Sequence, residues 1–397
     1  MKNVNFSKNR LRNPQLQNFT KNLKATKLLR KVYCKTLILF LPSSVNNPYQ
    51  QELSKYLYTQ GCQVISSNEG KILPILSIVF SRGKPDILHL HWTHTLIKSR
   101  TVFEIIIKGL RLIAEILFLK IINVRIIWTV HNISGHGSEK NKIENLIHRL
   151  LSRLCNAIIV HCEYAKLAVE RNYKIVEYYR KKICVIPHGN YIESYQNIID
   201  RKEAREIMGF VKNEIVFGFF GNIKAYKGIF DLIDAFKRLK EGRVRLLLVG
   251  KAENIYIEKR LRKIAEKDKR ISLCLGFIPK DEIQIYINCM DVVVLPFKKV
   301  LTSGSVLLSM SYGKPVIAPV IGCIGEILES NNNFLYEPNN LKSLISAMNM
   351  SLRADLEKIG KQNFQLALKA DWAISARMTA EVYKKILNKN APKIFGY

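Results

Sequence analysis

The sequence predicts an α/β molecule built as two Rossmann-like parallel-sheet domains that face each other across a cleft. Three observations carry this reading. From Thr36 onward short apolar runs alternate with amphipathic segments, the pattern that strand-helix-strand units require. The alternation pauses in a polar stretch over residues 192–213 and restarts at Ile215, so there are two sheets rather than one. The length of 397 residues suits two domains of roughly 150 to 200 residues each. With 48% hydrophobic residues against 20 Gly and 12 Pro, the composition excludes a disordered or fibrous chain.

Residues 1–33 read as a basic tail: no Asp or Glu occurs before Glu52, while Lys2, Lys8, Arg10, Arg12 and six further cations up to Lys35 do. The first domain, residues 34–197, has expected strands at 36–41, 62–66, 86–91, 124–130, 157–161 and 183–186, with helices such as 50–59 and 140–154 between them. The apolar stretch 102–130 is interrupted by Glu104, Lys108, Arg111, Glu115, Lys120 and Arg125, which excludes a membrane span. Its first part aligns Phe103, Ile106, Ile107, Leu110, Ile113, Ala114 and Leu117 on one helical face. That face either covers the sheet or dips into an anionic membrane surface.

Residues 198–213, with Asp200, Arg201, Lys202 and Glu203, read as the linker. The second domain, residues 214–370, has expected strands at 215–220, 245–249, 271–275, 292–296 and 315–318. Sheets of this kind bind ligands beyond the carboxyl ends of their strands, so the site is expected between the domains.

The formal charge of +31 calls for an anionic partner: nucleic acid, acidic lipid or a phosphorylated substrate. The basic residues are spread over both halves and form no nucleic-acid module, which disfavours the first. The eight cysteines form no Cys-x-x-Cys and lie mostly in apolar runs, so reduced thiols and a cytoplasmic location are expected. No secretory signal is visible in the first 35 residues.

Two strand-to-helix turns have the chemistry to hold an anion. In Gly221-Asn222-Ile223-Lys224-Ala225-Tyr226-Lys227-Gly228 two glycines permit close backbone approach and two lysines flank a helix start. In Thr302-Ser303-Gly304-Ser305 a hydroxyl can cap the next helix while Gly304 lets a phosphate reach free N–H groups. With no Asp-x-Asp pair and no metal-ligand cluster in the second half, Lys224, Lys227 and helix N-termini are left to neutralise a departing diphosphate without a metal. Neither Gly-x-x-x-x-Gly-Lys-[Ser/Thr] nor Gly-x-Gly-x-x-Gly occurs, which argues against a P-loop NTPase or a dinucleotide enzyme. All eight histidines lie in the first half. His131 at a strand tip is either a base near neutral pKa or a hydrogen-bonded structural residue; His89 and His91 share one strand face.

At these residues the chain resembles glycosyltransferases of the GT-B fold, in the group that includes family four. The donor-diphosphate loop resembles Gly221 to Gly228. Val249-Gly250-Lys251, Gly276-Phe277-Ile278-Pro279, Asp291 to Pro296, Gly313 to Ala318 and Gly322-Cys323-Ile324-Gly325-Glu326 are similar to other segments of the second domain. His89-Leu90-His91-Trp92, Val130-His131-Asn132 and Ile186-Pro187-His188-Gly189-Asn190-Tyr191 resemble members that build bacterial surface polysaccharides. The resemblance implies transfer of a sugar from a UDP- or GDP-linked donor to a lipid-linked or polysaccharide acceptor at the inner membrane face. It places the donor at Gly221, Asn222, Lys224, Lys227, Lys251, Phe277, Ile278, Ser303, Gly304, Ser305 and Glu326, with His131 and Lys227 as catalytic groups. The acceptor side falls at His91, Trp92, His136 and His188, and residues 371–390 form a last helix that crosses back to the first domain. An inverting enzyme would need a base such as His131 or His136; retention and inversion both remain open. Val300 and Leu308 stand where the family has a pair of glutamates, and Asn222 where an arginine is common. These departures motivate an alternative, a silent subunit that binds an active partner.

Overall fold

The computed structural model describes residues 36–44, 47–66, 73–133, 139–241, 243–328 and 333–388. The basic tail 1–33 and His136 lie outside them.

The first sheet has six parallel strands in the order β2-β1-β3-β4-β5-β6: Thr36–Leu41 (β1), Cys62–Ser66 (β2), Ile87–Leu90 (β3), Arg125–Thr129 (β4), Ala157–Val160 (β5) and Ile183–Val185 (β6). The second is likewise six-stranded and parallel, ordered β12-β11-β10-β7-β8-β9: Ile215–Phe220 (β7), Val244–Gly250 (β8), Ile271–Leu275 (β9), Val292–Val294 (β10), Val316–Pro319 (β11) and Phe334–Tyr336 (β12). Helices cover both faces of each sheet. The central strands are therefore continuous apolar runs, such as Ala157-Ile158-Ile159-Val160, buried throughout. Phe334–Tyr336 is a strand that the sequence reading had not assigned.

Strand order reverses between β1 and β3 in the first sheet and between β7 and β10 in the second. At such switch points the flanking loops turn to opposite faces and leave a crevice. The two crevices face each other.

Helix Trp372–Leu387 belongs with the first domain's core: Trp372, Ala376, Ala380 and Tyr383 join Phe40, Tyr49, Ile127 and Ile159 in one apolar cluster. Ser375 Oγ donates to Pro187 O at 2.7 Å and Trp372 Nε1 to Asn190 O at 2.6 Å. Gly189 is obligatory here, since a Cβ would sit 2.2 Å from the Trp372 ring.

The stretch expected to be a linker contains helix Arg201–Met208. Its Ala204 is in the second domain's core, and its buried Arg205 pairs with Asp291 while also donating to Val211 O, Lys212 O and Glu214 O. It packs as part of that domain rather than as a tether.

Helix Val102–Ile121 corrects a second expectation. Ile105, Gly109, Leu112, Glu115, Ile116 and Leu119 face the sheet, whereas the face singled out from its periodicity, with Phe103, Ile107, Leu110 and Leu117, is exposed. None of the helices among the described residues is long and apolar enough to cross a membrane.

A third correction concerns the thiols. Among the described residues Cys62, Cys155, Cys184, Cys274 and Cys289 remain thiols, but Cys162 and Cys323 form a disulfide between the two domains.

Candidate active site

The facing crevices enclose a cleft of about 730 Å³. The first domain lines it with the β1 loop (Pro42 to Ser44, Asn47, Pro48), the β3 loop (Trp92, His94, Thr95) and Tyr191 and Tyr195. The second contributes Phe220, Gly221, Asn222 and Lys227 after β7, and Gly304, Ser305 and Leu308 after β10.

The β7 loop is fixed in three places. Ile223 N donates to Lys251 O at 2.8 Å and Glu253 N to Ile223 O at 2.9 Å, so the loop is zipped onto the chain leaving β8. Gly228 follows the 3₁₀ turn Ala225–Lys227 with φ +70°, and a Cβ there would lie 1.8 Å from Pro296 O. Only glycine lets the chain pass there and start helix Ile229–Lys237.

This route brings Lys227 Nζ and Ser305 Oγ together over Gly221, 3.6 and 3.7 Å from where its Cβ would be. Burial lowers the Lys227 pKa to about 8, with Lys224 as a second cause. No carboxylate pairs with Lys227 among the described residues, and its amine has only the faces of Phe219 and Phe297 at 6.0 and 5.6 Å. An unpaired, mostly buried ammonium beside a glycine and a helix start is an arrangement that an anion completes.

Ser303 does not line the cleft. It is the N-cap of helix Gly304–Ser311 and accepts from Val306 N at 3.4 Å, leaving Gly304 and Ser305 to face the ligand space. Leu308 presents an apolar wall on the next turn. Phe277 is exposed beyond β9, Ile278 is partly buried against the core, and Lys251 is exposed beyond β8; all three stand at the same carboxyl edge as the cleft. Lys224 is half-buried beside the Tyr226 ring.

Glu326 departs from its expected donor role. Its carboxylate accepts from Tyr164 N at 2.6 Å and Glu163 N at 3.1 Å, closing the start of helix Glu163–Asn172 in the first domain.

The histidines depart further. His89, His91, His131, His161 and His188 form a buried group around Tyr49. His131 Nε2 lies 3.3 Å from His91 Nδ1, and the Trp92 ring stacks on it at 4.5 Å. Desolvation holds both imidazoles well below their usual pKa, so both are neutral. Trp92, as expected, faces the cleft, but it does so as a lid over His131. His188 meets Gly189 O at 2.7 Å and Tyr191 OH at 3.4 Å, so it supports Tyr191 rather than touching ligand space. His91, His131 and His188 thus stand behind the residues that line the cleft. The reading also missed Tyr191, Tyr195 and His94, though Tyr191 stands in a motif it had singled out and His94 lies two residues past another, and switch-point topology would have marked the β1 loop.

A second hollow of about 700 Å³ lies at the opposite edge of the second domain, lined by Arg201, Asp291 and Lys314. Its charges are mutually engaged: Arg201 pairs with Asp291 at 2.6 Å, and Lys314 Nζ donates to Asn288 O and Met290 O.

Residues 214–353 match the model of a family described as glycosyl transferases group 1. A GDP-mannose:glycolipid 4-beta-D-mannosyltransferase of Xanthomonas campestris pv. campestris is 23% identical over 300 residues, covering 72% of this chain and 80% of the relative. The chain is a glycosyltransferase of the GT-B fold whose second domain matches the group-1 family. A lipopolysaccharide 1,2-N-acetylglucosaminetransferase of Salmonella typhimurium is 26% identical over 210 residues, 50% of this chain and 53% of that one. Among solved structures, sucrose-phosphate synthase from Thermosynechococcus elongatus covers 88% of this chain and 98% of its own at 16% identity, with a TM-score of 0.69. The complex of Anabaena Alr3699/HepE with UDP-glucose covers 88% and 100% at 18% identity, with a TM-score of 0.68. In this glycosyltransferase the two sheets are the GT-B domains. The silent-subunit alternative, which rested on Val300 and Leu308, is not what these relatives support.

Proposed function

We propose that this glycosyltransferase moves a hexose from a UDP- or GDP-linked donor to a lipid-linked or growing polysaccharide acceptor at the cytoplasmic face of the membrane. The observation that carries the reading is Lys227, a mostly buried ammonium without an ion-pair partner among the described residues, converging with Ser305 over Gly221. A diphosphate fits there: Lys227 and Lys224 supply charge, and the N–H groups at Gly304 and Ser305 supply donors as negative charge develops on the leaving group. No metal is needed for that neutralisation, so transfer is expected to survive chelation by EDTA. Trp92 supplies a flat apolar platform on the acceptor wall. The named activities of the Xanthomonas and Salmonella relatives favour a glycolipid or lipopolysaccharide acceptor.

The exposed face of helix Val102–Ile121 supports membrane docking. Phe103 is 71% and Leu110 64% exposed, the adjacent helix Glu139–Leu154 adds exposed Leu146, and the exposed cations Lys98, Arg100, Lys140 and Lys142 rim the patch. Apolar side chains ringed by lysine and arginine suit an anionic leaflet, at about 1 kcal/mol per nearby cation.

The deciding test is a thermal-melting panel of UDP, GDP, ADP and TDP. A ligand at 100 times its dissociation constant adds about 2.7 kcal/mol, so one nucleotide should raise the midpoint. No rise with any of the four overturns the proposal.

A further inference from the structure

Tyr191 joins the two domains at the cleft. Its chain follows β6 of the first sheet, yet its ring is buried in the second domain's apolar cluster, and its N–H donates to Ser311 Oγ at 2.9 Å on helix Gly304–Ser311. The phenol reaches back along that helix to its first residue: a Cβ on Gly304 would lie 2.9 Å from Tyr191 OH. Tyr191, Gly304, Ser305 and Leu308 all line the cleft. The hydroxyl therefore stands over the same helix start that carries Ser305 into the diphosphate cradle.

His188 fixes which way this hydroxyl points. His188 Nδ1 lies 2.7 Å from Gly189 O, and a carbonyl only accepts, so Nδ1 carries the hydrogen. Burial lowers the ring's pKa to about 3, so at neutral pH Nε2 is a bare acceptor. Tyr191 OH, 3.4 Å from that nitrogen, donates its hydrogen to it. Burial also raises the phenol's own pKa, so it stays protonated. Its oxygen is left with lone pairs and no hydrogen to offer the cleft.

Such an oxygen repels a phosphate oxygen and attracts an O–H or N–H. An exposed ring suited to a base, Phe277, follows β9, whereas Gly304 follows β10 on the other side of β7. The hexose end of the donor is thus the end that meets Tyr191. Among the described residues lining the cleft there is no carboxylate, the stronger acceptor for a sugar hydroxyl. Leu308, one helical turn past Gly304, closes the same space with apolar surface.

We infer that Tyr191, aimed by His188, accepts a hydrogen bond from one hydroxyl of the donor hexose and thereby selects the hexose. The inference rests on the proposed function. A site that pairs with one substrate hydroxyl rejects a sugar that lacks it, because the buried acceptor is then left unpaired.

The test is calorimetry on wild type and on Tyr191→Phe, which removes one oxygen and keeps the ring. The ligands are the nucleoside diphosphate that raises the melting midpoint and whichever of its glucose, galactose, mannose and N-acetylglucosamine conjugates binds wild type most tightly. The singly deoxygenated analogues of that conjugate complete the set. In wild type at least one analogue should bind about 5- to 20-fold more weakly than the parent conjugate. In Tyr191→Phe the parent conjugate should weaken by the same factor and one such analogue should bind as tightly as the parent. The bare diphosphate should stay within twofold of wild type. A wild type indifferent to every deoxygenation overturns the assignment without any variant. So does a variant that binds the conjugate as wild type does, one in which every sensitive analogue still loses its full factor, or one that loses the bare diphosphate in parallel. Failure of the parent reading shows separately, as wild-type protein that binds none of the four nucleoside diphosphates.

Discussion

Lys227 is where sequence chemistry becomes binding energy. Its ammonium has already lost much of its hydration on folding, and a diphosphate restores what burial removed. Lys227→Ala should weaken nucleoside-diphosphate binding by about 1.5–3 kcal/mol, on the order of 10- to 150-fold, measured by calorimetry; unchanged affinity would remove it from the site. The sign of the pH effect follows from the direction of the shift. With a pKa lowered to about 8, the free lysine is charged below that value and neutral above it. Nucleotide affinity should therefore hold through neutrality and decline as pH rises past about 8, and it should not decline in Lys227→Arg. Beside it, Gly228→Ala meets both a left-handed backbone and a carbonyl oxygen 1.8 Å from the new carbon. The variant should melt lower by roughly 1–3 kcal/mol and bind nucleotide poorly, because the loop that aims Lys227 must move.

At the scale of elements, what was legible depended on how many faces an element buries. Buried parallel strands are continuous apolar runs, so β1 and β7 fall where the runs fall, at Thr36–Leu41 and Ile215–Phe220. The three-residue β12 has no such run. Helix Val102–Ile121 is apolar on most sides, so periodicity found a stripe but not the one that packs. Leu112 and Ile116 contact the sheet, and Leu110 and Phe103 contact solvent. The site divides in the same way. Glycines and lysines of the β7 turn act through local backbone and charge, which spacing reveals. The role of His131 is set by the Trp92 ring lying over it, which no spacing reveals. The exposed stripe makes its own prediction. Phe103→Asp with Leu110→Asp should leave the melting midpoint within about 0.5 kcal/mol of wild type, since neither side chain is buried. The same pair should abolish sedimentation with phosphatidylglycerol vesicles; retained sedimentation, or equal binding of wild type to phosphatidylcholine vesicles, would refute docking through this face.

Over the whole molecule the cleft is held from two sides. On one, helix Trp372–Leu387 carries the end of the described chain back onto the first sheet, where Tyr383 OH lies 2.6 Å from His89 Nδ1. On the other, Leu301 and Cys323 of the second domain enter the first domain's apolar cluster, Glu326 closes the start of helix Glu163–Asn172, and Cys162 is bonded to Cys323. That bond joins residues 161 apart in sequence, so in the unfolded chain it closes a long loop. Chain-entropy arguments put the stabilisation from closing such a loop at about 5 kcal/mol, provided the native state accepts the bond. Both sulfurs are buried at the seam, so the bond should resist mild reductant in the folded protein and break when unfolding exposes it. Two measurements follow from that. Alkylation under denaturing, non-reducing conditions should spare two of the eight thiols and label all of them after reduction. Cys162→Ser should melt well below wild type without reductant and no lower than wild type with it. If all eight thiols are alkylated without reduction, the two domains are held at this seam by the apolar contacts and the Glu326 cap alone, and Glu326→Ala should then cost about 0.5–2 kcal/mol in either redox condition.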